Sequence, residues 1–194
     1  MTIDISKPET TLRDAFLRML DDYDARDPEN GEFYAAGRAD FDAYVLSLLD
    51  MERGVNLPRG WVPCSNRWLV DDAREIVGVV RIRHNIDTPF LTEEAGHIGY
   101  DVPPSKRGRG HGVASLRAGL AEARRVGLTR VLLCANTGNL ASWRTIEACG
   151  GVFEREFHSE FFGCAVRRYW IKVPQTQAHG ALAEQTVRAD EWGL

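Results

Sequence analysis

The stretch that most limits how this chain can fold is Arg107-Gly108-Arg109-Gly110-His111-Gly112. It lies between a short apolar run, Ile98 to Val102, and an amphipathic segment that begins near Val113. Glycines at this density join a strand to a helix start rather than extend either one. Such a turn points several backbone N–H groups in one direction, and the helix dipole adds partial positive charge at the same place. The result is a seat for a phosphate or pyrophosphate. Arg107 and Arg109 can add charge-assisted hydrogen bonds to the same anion.

The flanking sequence fits this reading. His97-Ile98-Gly99-Tyr100-Asp101-Val102 reads as a strand that stops at Pro103-Pro104, because proline lacks the N–H a ladder needs. Beyond the loop, Val113, Leu116, Leu120 and Ala123 recur at helical spacing, and Gly127 is a helix stop. Val131 to Ala135 is an uninterrupted apolar run, as in a strand buried on both faces. Asn136-Thr137-Gly138-Asn139 then leads into Leu140, Trp143 and Ile146 on one helical face, and Gly150-Gly151 ends that segment.

The loop spacing is neither G-x-G-x-x-G nor a phosphate loop ending in G-K-[ST]. It is R-x-x-G-x-G, from Arg107 through Gly110 to Gly112. Together with the "HIGY" phrase at His97, the Pro-Ser at Pro104-Ser105 and the "N-x-A-S" at Asn139 to Ser142, it resembles the GNAT (Gcn5-related N-acetyltransferase) superfamily. The similarity is closest to a bacterial subgroup of acetyltransferases and covers about Trp68 to Val173. It implies an α/β (α+β) fold: a mixed, mostly antiparallel sheet flanked by helices, whose strands at His97 and Val131 run parallel and splay apart to bind acetyl-CoA. It implies acetyl-CoA as co-substrate, a small-molecule or peptide amine as acceptor, direct attack of the amine in a ternary complex, and no metal. The cofactor contacts it implies are Asp101, Val102, Arg107, Gly108, Arg109, Gly110, His111, Gly112, Val113, Asn139 and Ser142.

Acetyl transfer to an amine needs the amine's proton removed, a donor for the oxyanion, and a route for the departing thiolate. A thiol with a pKa of about 8.5 leaves tolerably well without help. His97 is the candidate base, since many relatives carry Glu at this place and imidazole titrates near neutral pH. The competing reading is a histidine that only hydrogen-bonds within the sheet. His84 could bind the acceptor, relay a proton or cap its strand. Many relatives place a Tyr seven residues after the Asn that corresponds to Asn139, and here that position is Ile146. Tyr100 is a conceivable substitute acid or a core residue, because alternation puts it opposite His97 and Asp101. The Ile146 departure motivates a second reading, an acyl-CoA-binding sensor or weak catalyst.

The rest of the chain gives a coarser layout. Leu12 to Tyr23 and Phe41 to Leu49 form helical stripes, with Thr11 and Asp14 as a capping signature. Asp24 to Gly37 and Asn85 to Ala95 read as loops. Residues 68–72 and 76–84 read as a hairpin, and 152–157 with 161–173 as closing strands. Arg81 and Arg83 could be functional or fit a solvated sheet face, and Asp21, Asp22, Asp24, Asp27 and Glu29 could attract a cationic amine or form a solvated acidic surface. Trp61, Trp68 and Trp143 read as packing, and Trp170 as half-buried. One domain is expected over residues 1–174, with 175–194 as a tail, mobile or docked on a neighbour through Trp192. The net charge of -4 argues against a nucleic-acid binder, and no apolar run reaches membrane-spanning length. Met1 to Thr11 is polar and acidic rather than a signal peptide, and the 4 cysteines show neither metal nor disulfide spacing. A cytoplasmic protein is expected. A homodimer is also expected, because aromatic closing strands would leave an exposed edge.

Overall fold

The computed structural model describes residues 2–174; the expected tail with Trp192 lies outside the described residues. The chain begins with β1 (Ile3–Ser6), followed by α1 (Arg13–Arg26), α2 (Pro28–Gly31), α3 (Ala35–Ala39) and α4 (Phe41–Arg53). Then come β2 (Cys64–Asp71), β3 (Ile76–Arg83), β4 (Ile98–Asp101), α5 (His111–Arg125) and β5 (Arg130–Asn136). The described chain closes with α6 (Leu140–Ala148), β6 (Val152–Ser159) and β7 (Cys164–Lys172). This is the expected class, antiparallel sheets flanked by helices.

The strands form a four-stranded sheet in the order β1-β2-β3-β4 and a three-stranded sheet in the order β5-β7-β6. Every ladder is antiparallel. β4 and β5 are neighbours that share no ladder. They meet near their N-terminal ends, where Gly96 bridges Leu133 and the His97 N–H donates to the Leu132 carbonyl (2.8 Å). Gly96 has φ +68°, and a Cβ there would lie 2.4 Å from the Leu132 carbonyl oxygen, so glycine is required for this approach. Past this junction the two sheets part, and α5 connects the end of β4 to the start of β5.

Two apolar clusters fill the faces. One joins Val77, Val80, Ile82, Ile98, Leu116, Val131, Leu133, Ile146 and Tyr169 beneath α5 and α6. The other packs Phe16, Tyr23, Tyr34, Phe41 and Val45 of the N-terminal helices against Trp68 and Val79. Phe16 stacks on Trp68 with ring centroids 5.5 Å apart.

Several boundaries differ from expectation. β1 alternates apolar and polar residues over only four positions and is only partly covered, and it exists because it pairs with β2. The span Asp24 to Gly37 is helical over most of its length, because Tyr34 buries against Phe16 and Tyr23 and holds the chain in short turns. No side chain caps α1. The span before β4 includes a π-helical turn, Leu91–Ala95. α5 starts at His111 rather than Val113. Trp61 is 56% exposed and is not packing.

Candidate active site

The glycine loop has the geometry of an anion seat. Gly110 caps α5 in the left-handed conformation (φ +83°) and no side chain caps the helix. The first backbone bond of the helix runs from the Ala114 N–H to the Gly110 carbonyl (3.1 Å). The N–H groups of Gly108 through Val113 therefore have no acceptor among the described residues. A Cβ on Gly108 or Gly110 would meet open space, so these glycines serve backbone conformation and access. These residues fit a phosphate-bearing ligand held by backbone.

The arginines divide. Arg107 is not aimed at the seat: its Nε donates to the Val102 carbonyl (3.0 Å) and its guanidinium pairs with Asp27. It fastens the loop to the strand end and to the N-terminal helices. Arg109 is exposed and has no charged partner among the described residues. His111 turns its ring inward, 3% exposed, and neither ring nitrogen has a hydrogen-bond partner. Burial, then Arg109 and Lys106, lower its pKa, so the ring is neutral and only its backbone N–H reaches the seat.

The strand end and α6 complete this corner. Asn139 caps α6, its Oδ1 accepting from the Ser142 N–H (3.0 Å). The Tyr100 hydroxyl donates to the Ser142 carbonyl (3.0 Å) and lies 3.1 Å from Ser142 Oγ. Tyr100 thus ties β4 to the start of α6 beside Gly112, whose Cβ position is 3.8 Å from its ring. Asp101 points the other way, as alternation requires. Its carboxylate accepts from Tyr34 Oη (2.7 Å) and from Arg81, which also donates to Tyr34 Oη (3.0 Å). Asp101 and Arg81 are therefore an internal cluster, and the Asp101 backbone pairs with Val79 of β3. The solvated-face reading of Arg81 fails because the N-terminal helices cover it.

His97 sits at the junction of the sheets, 6% exposed. Its Nδ1 accepts the Leu132 N–H (2.9 Å). The neutral ring must therefore carry its proton on Nε2. Burial, then Arg83 and Arg130, push its pKa down to about 4. At neutral pH this imidazole has one lone pair, and the backbone uses it. In this position the ring replaces the carbonyl that a continued ladder would have offered Leu132. His84 bonds Ser65 Oγ (2.9 Å), near the far end of α5 from the loop. Ile146 is 1% exposed in the core, so α6 presents no hydroxyl there.

The acidic cluster is largely exposed, as expected of a solvated surface, and most of its members are paired. Asp21 and Asp24 pair with Arg38, Asp22 with Arg26 and the Ser105 N–H, and Asp27 with Arg107. Sequence reasoning missed that tie between Asp27 and the loop. It also missed the group around the His97 ring: Ile86, Thr129, Arg130 and Trp170. These residues come from distant segments and share no motif.

The comparisons agree with this geometry. The model of the acetyltransferase (GNAT) family matches residues 17–151. No curated protein matches the chain. Among solved structures, a RimL ribosomal L7/L12 alpha-N-protein acetyltransferase in complex with coenzyme A is 17% identical, with TM-score 0.65 over 89% of this chain and 95% of that one. An acetyl transferase from Salmonella typhimurium that modifies the N-terminal serine of L7/L12 is 15% identical, with TM-score 0.60 over 90% and 96%. A dodecameric spermidine N-acetyltransferase from Vibrio cholerae is 16% identical, with TM-score 0.54 over 88% and 93%. At these identities the likeness speaks for the fold.

Proposed function

Because this chain belongs to the acetyltransferase (GNAT) family, we propose that it moves an acetyl group from acetyl-CoA to a primary amine by direct attack in a ternary complex. The observation that carries this reading is the row of unpartnered N–H groups from Gly108 to Val113 at the left-handed cap of α5. Those groups would hold the pyrophosphate, with Arg109 at the rim and Arg107 and Tyr100 fixing the two sides of the seat. The gap between β4 and β5 would take the pantetheine arm, leading to the junction at His97. When bound, the co-substrate supplies the activated acetyl group. The acceptor is a small-molecule or peptide amine, and the reaction runs in the cytoplasm.

The chain's own residues set the proton chemistry. His97 holds its proton on Nε2 and keeps Leu132 satisfied, so it positions the junction rather than removing the amine proton. The amine loses its proton to water before it attacks. The thiolate departs without a general acid, since Ile146 is apolar and the Tyr100 hydroxyl is held at the phosphate end. Incubation with acetyl-CoA and an amine panel, following free thiol, tests the reading. Thiol release that depends on an amine is the expected result. The buried Ile146 favours one alternative, an acyl-CoA sensor, which would bind CoA and turn over no amine.

A further inference from the structure

An open, shallow cavity of about 310 Å³ lies beside the junction of β4 and β5. Ile86, His97, Leu128, Thr129, Arg130 and Trp170 line it. It lies at the start of both strands, whereas the cofactor loop follows the end of β4. Its side-chain chemistry is one-sided. Arg130 stacks its guanidinium 4.4 Å from the centre of the Trp170 ring and has no carboxylate partner among the described residues. His97 meets the edge of the same indole with centroids 6.2 Å apart. With Nδ1 committed to Leu132, the ring can offer only its Nε2–H. The Trp170 indole N–H is taken by Glu154 (3.0 Å), and the Thr129 carbonyl by the Val173 N–H (2.8 Å). What remains for a ligand is an imidazole N–H, a guanidinium and the Thr129 hydroxyl around an indole wall.

We infer that this cavity is a carboxylate site, in which His97 Nε2–H and Arg130 bind the two oxygens of a small organic acid packed on Trp170. Guanidinium and imidazole donors suit a planar carboxylate, which takes two parallel bonds. A cationic amine is disfavoured, because Arg130 lines the site and its charge, with that of nearby Arg83, opposes positive charge at the His97 ring. Asp87 is the one acid acting on that ring, and it is exposed. The carboxylate has two possible sources: the acceptor itself, when it carries an acid as well as an amine, or a free organic acid bound beside it. Only the choice between these sources rests on the acetyl-transfer reading; the site stands without it.

Benzoate is the probe, and benzamide its neutral isostere. Calorimetry on the full chain without acyl-CoA should show benzoate binding and no benzamide binding. Arg130→Gln should weaken benzoate by about tenfold or more, as expected for loss of one charge-assisted bond, and Arg130→Lys by less. The ring resonance assigned through His97→Phe should titrate at higher pH when benzoate is bound, because the anion favours the imidazolium. A merely structural His97 would not move. Arg130 is exposed, so Arg130→Gln keeps the test valid even if His97→Phe fails to fold. Equal binding of the isosteres, no binding of benzoate, or benzoate affinity indifferent to Arg130 overturns the inference. The source follows from kinetics. If benzoate competes with an acceptor that bears a carboxylate, and Arg130→Gln raises the KM of that acceptor alone, the site takes the acceptor's acid. Benzoate binding without such competition assigns it to a free acid.

Discussion

Single residues at the glycine loop and the junction carry sharp expectations. Gly110 combines a positive φ with open space above its Cα. Gly110→Asp should abolish CoA binding in calorimetry, because it adds strain and a negative charge at the seat. Arg107→Ala should weaken binding less, since Arg107 acts through the Val102 carbonyl and Asp27. His97 gives a pH signature. Its folded pKa, about 4, lies below the ordinary 6.5, so the unfolded chain takes up a proton that the folded chain refuses. Stability from this group is complete above about pH 6.5 and is lost as pH falls toward 4. Urea melts across that window should show the loss in the wild type and a flatter profile in His97→Gln. Turnover should rise with pH through the pKa of the amine in both proteins. A profile that follows the histidine in the wild type alone would restore His97 as the base.

At the scale of elements, the contact of α5 on β3 is the tightest joint. A Cβ on Gly78 would lie 2.3 Å from Ser115 Oγ, and one on Gly119 would lie 2.9 Å from Val80 Cγ2. Ser115 is fully buried and its hydroxyl has no partner. Gly78→Ala should therefore cost about 1–3 kcal/mol as overpacking. Ser115→Ala should be near neutral, since it removes an unsatisfied polar atom. The double variant should recover most of the loss, and chemical denaturation of the four proteins measures this coupling. The far end of α5 is held differently. Arg67, 6% exposed at its side chain, bonds Glu52 (2.9 Å) and Glu122 (2.7 Å), joining β2, α4 and α5. Removing its charge takes the one buried cation from two carboxylates, which keep only the exposed Arg125 and, at Glu52, Lys7. Arg67→Ala should cost about 3–5 kcal/mol in the same measurement.

For the whole molecule, β6 is an open edge. It is the edge of the three-stranded sheet, with Val152 69% and Phe153 51% exposed. An unpaired edge with exposed apolar side chains favours association. Light scattering at micromolar concentration should give a dimer mass, and Phe153→Lys should shift it toward the monomer. A monomer mass for the wild type would end that expectation.

The sequence by itself determined the order of elements from β4 to α6, because glycine, proline and apolar spacing act locally. Pro103 stops β4, Gly110 starts α5, Asn139 caps α6, and Gly150 follows its end. The same local logic made the Arg107–Gly112 turn legible as an anion seat. Tertiary structure decided what each polar side chain does there. A backbone N–H from β5 occupies the Nδ1 lone pair of His97. Arg107 turned to Asp27, and Arg81 became internal once the N-terminal helices covered its strand face. The span Asp24 to Gly37 became helical through the burial of Tyr34. Partners of that kind arrive from segments far apart in the chain. No local pattern encodes them, because burial and hydrogen-bond competition are settled only when the sheets and helices have packed.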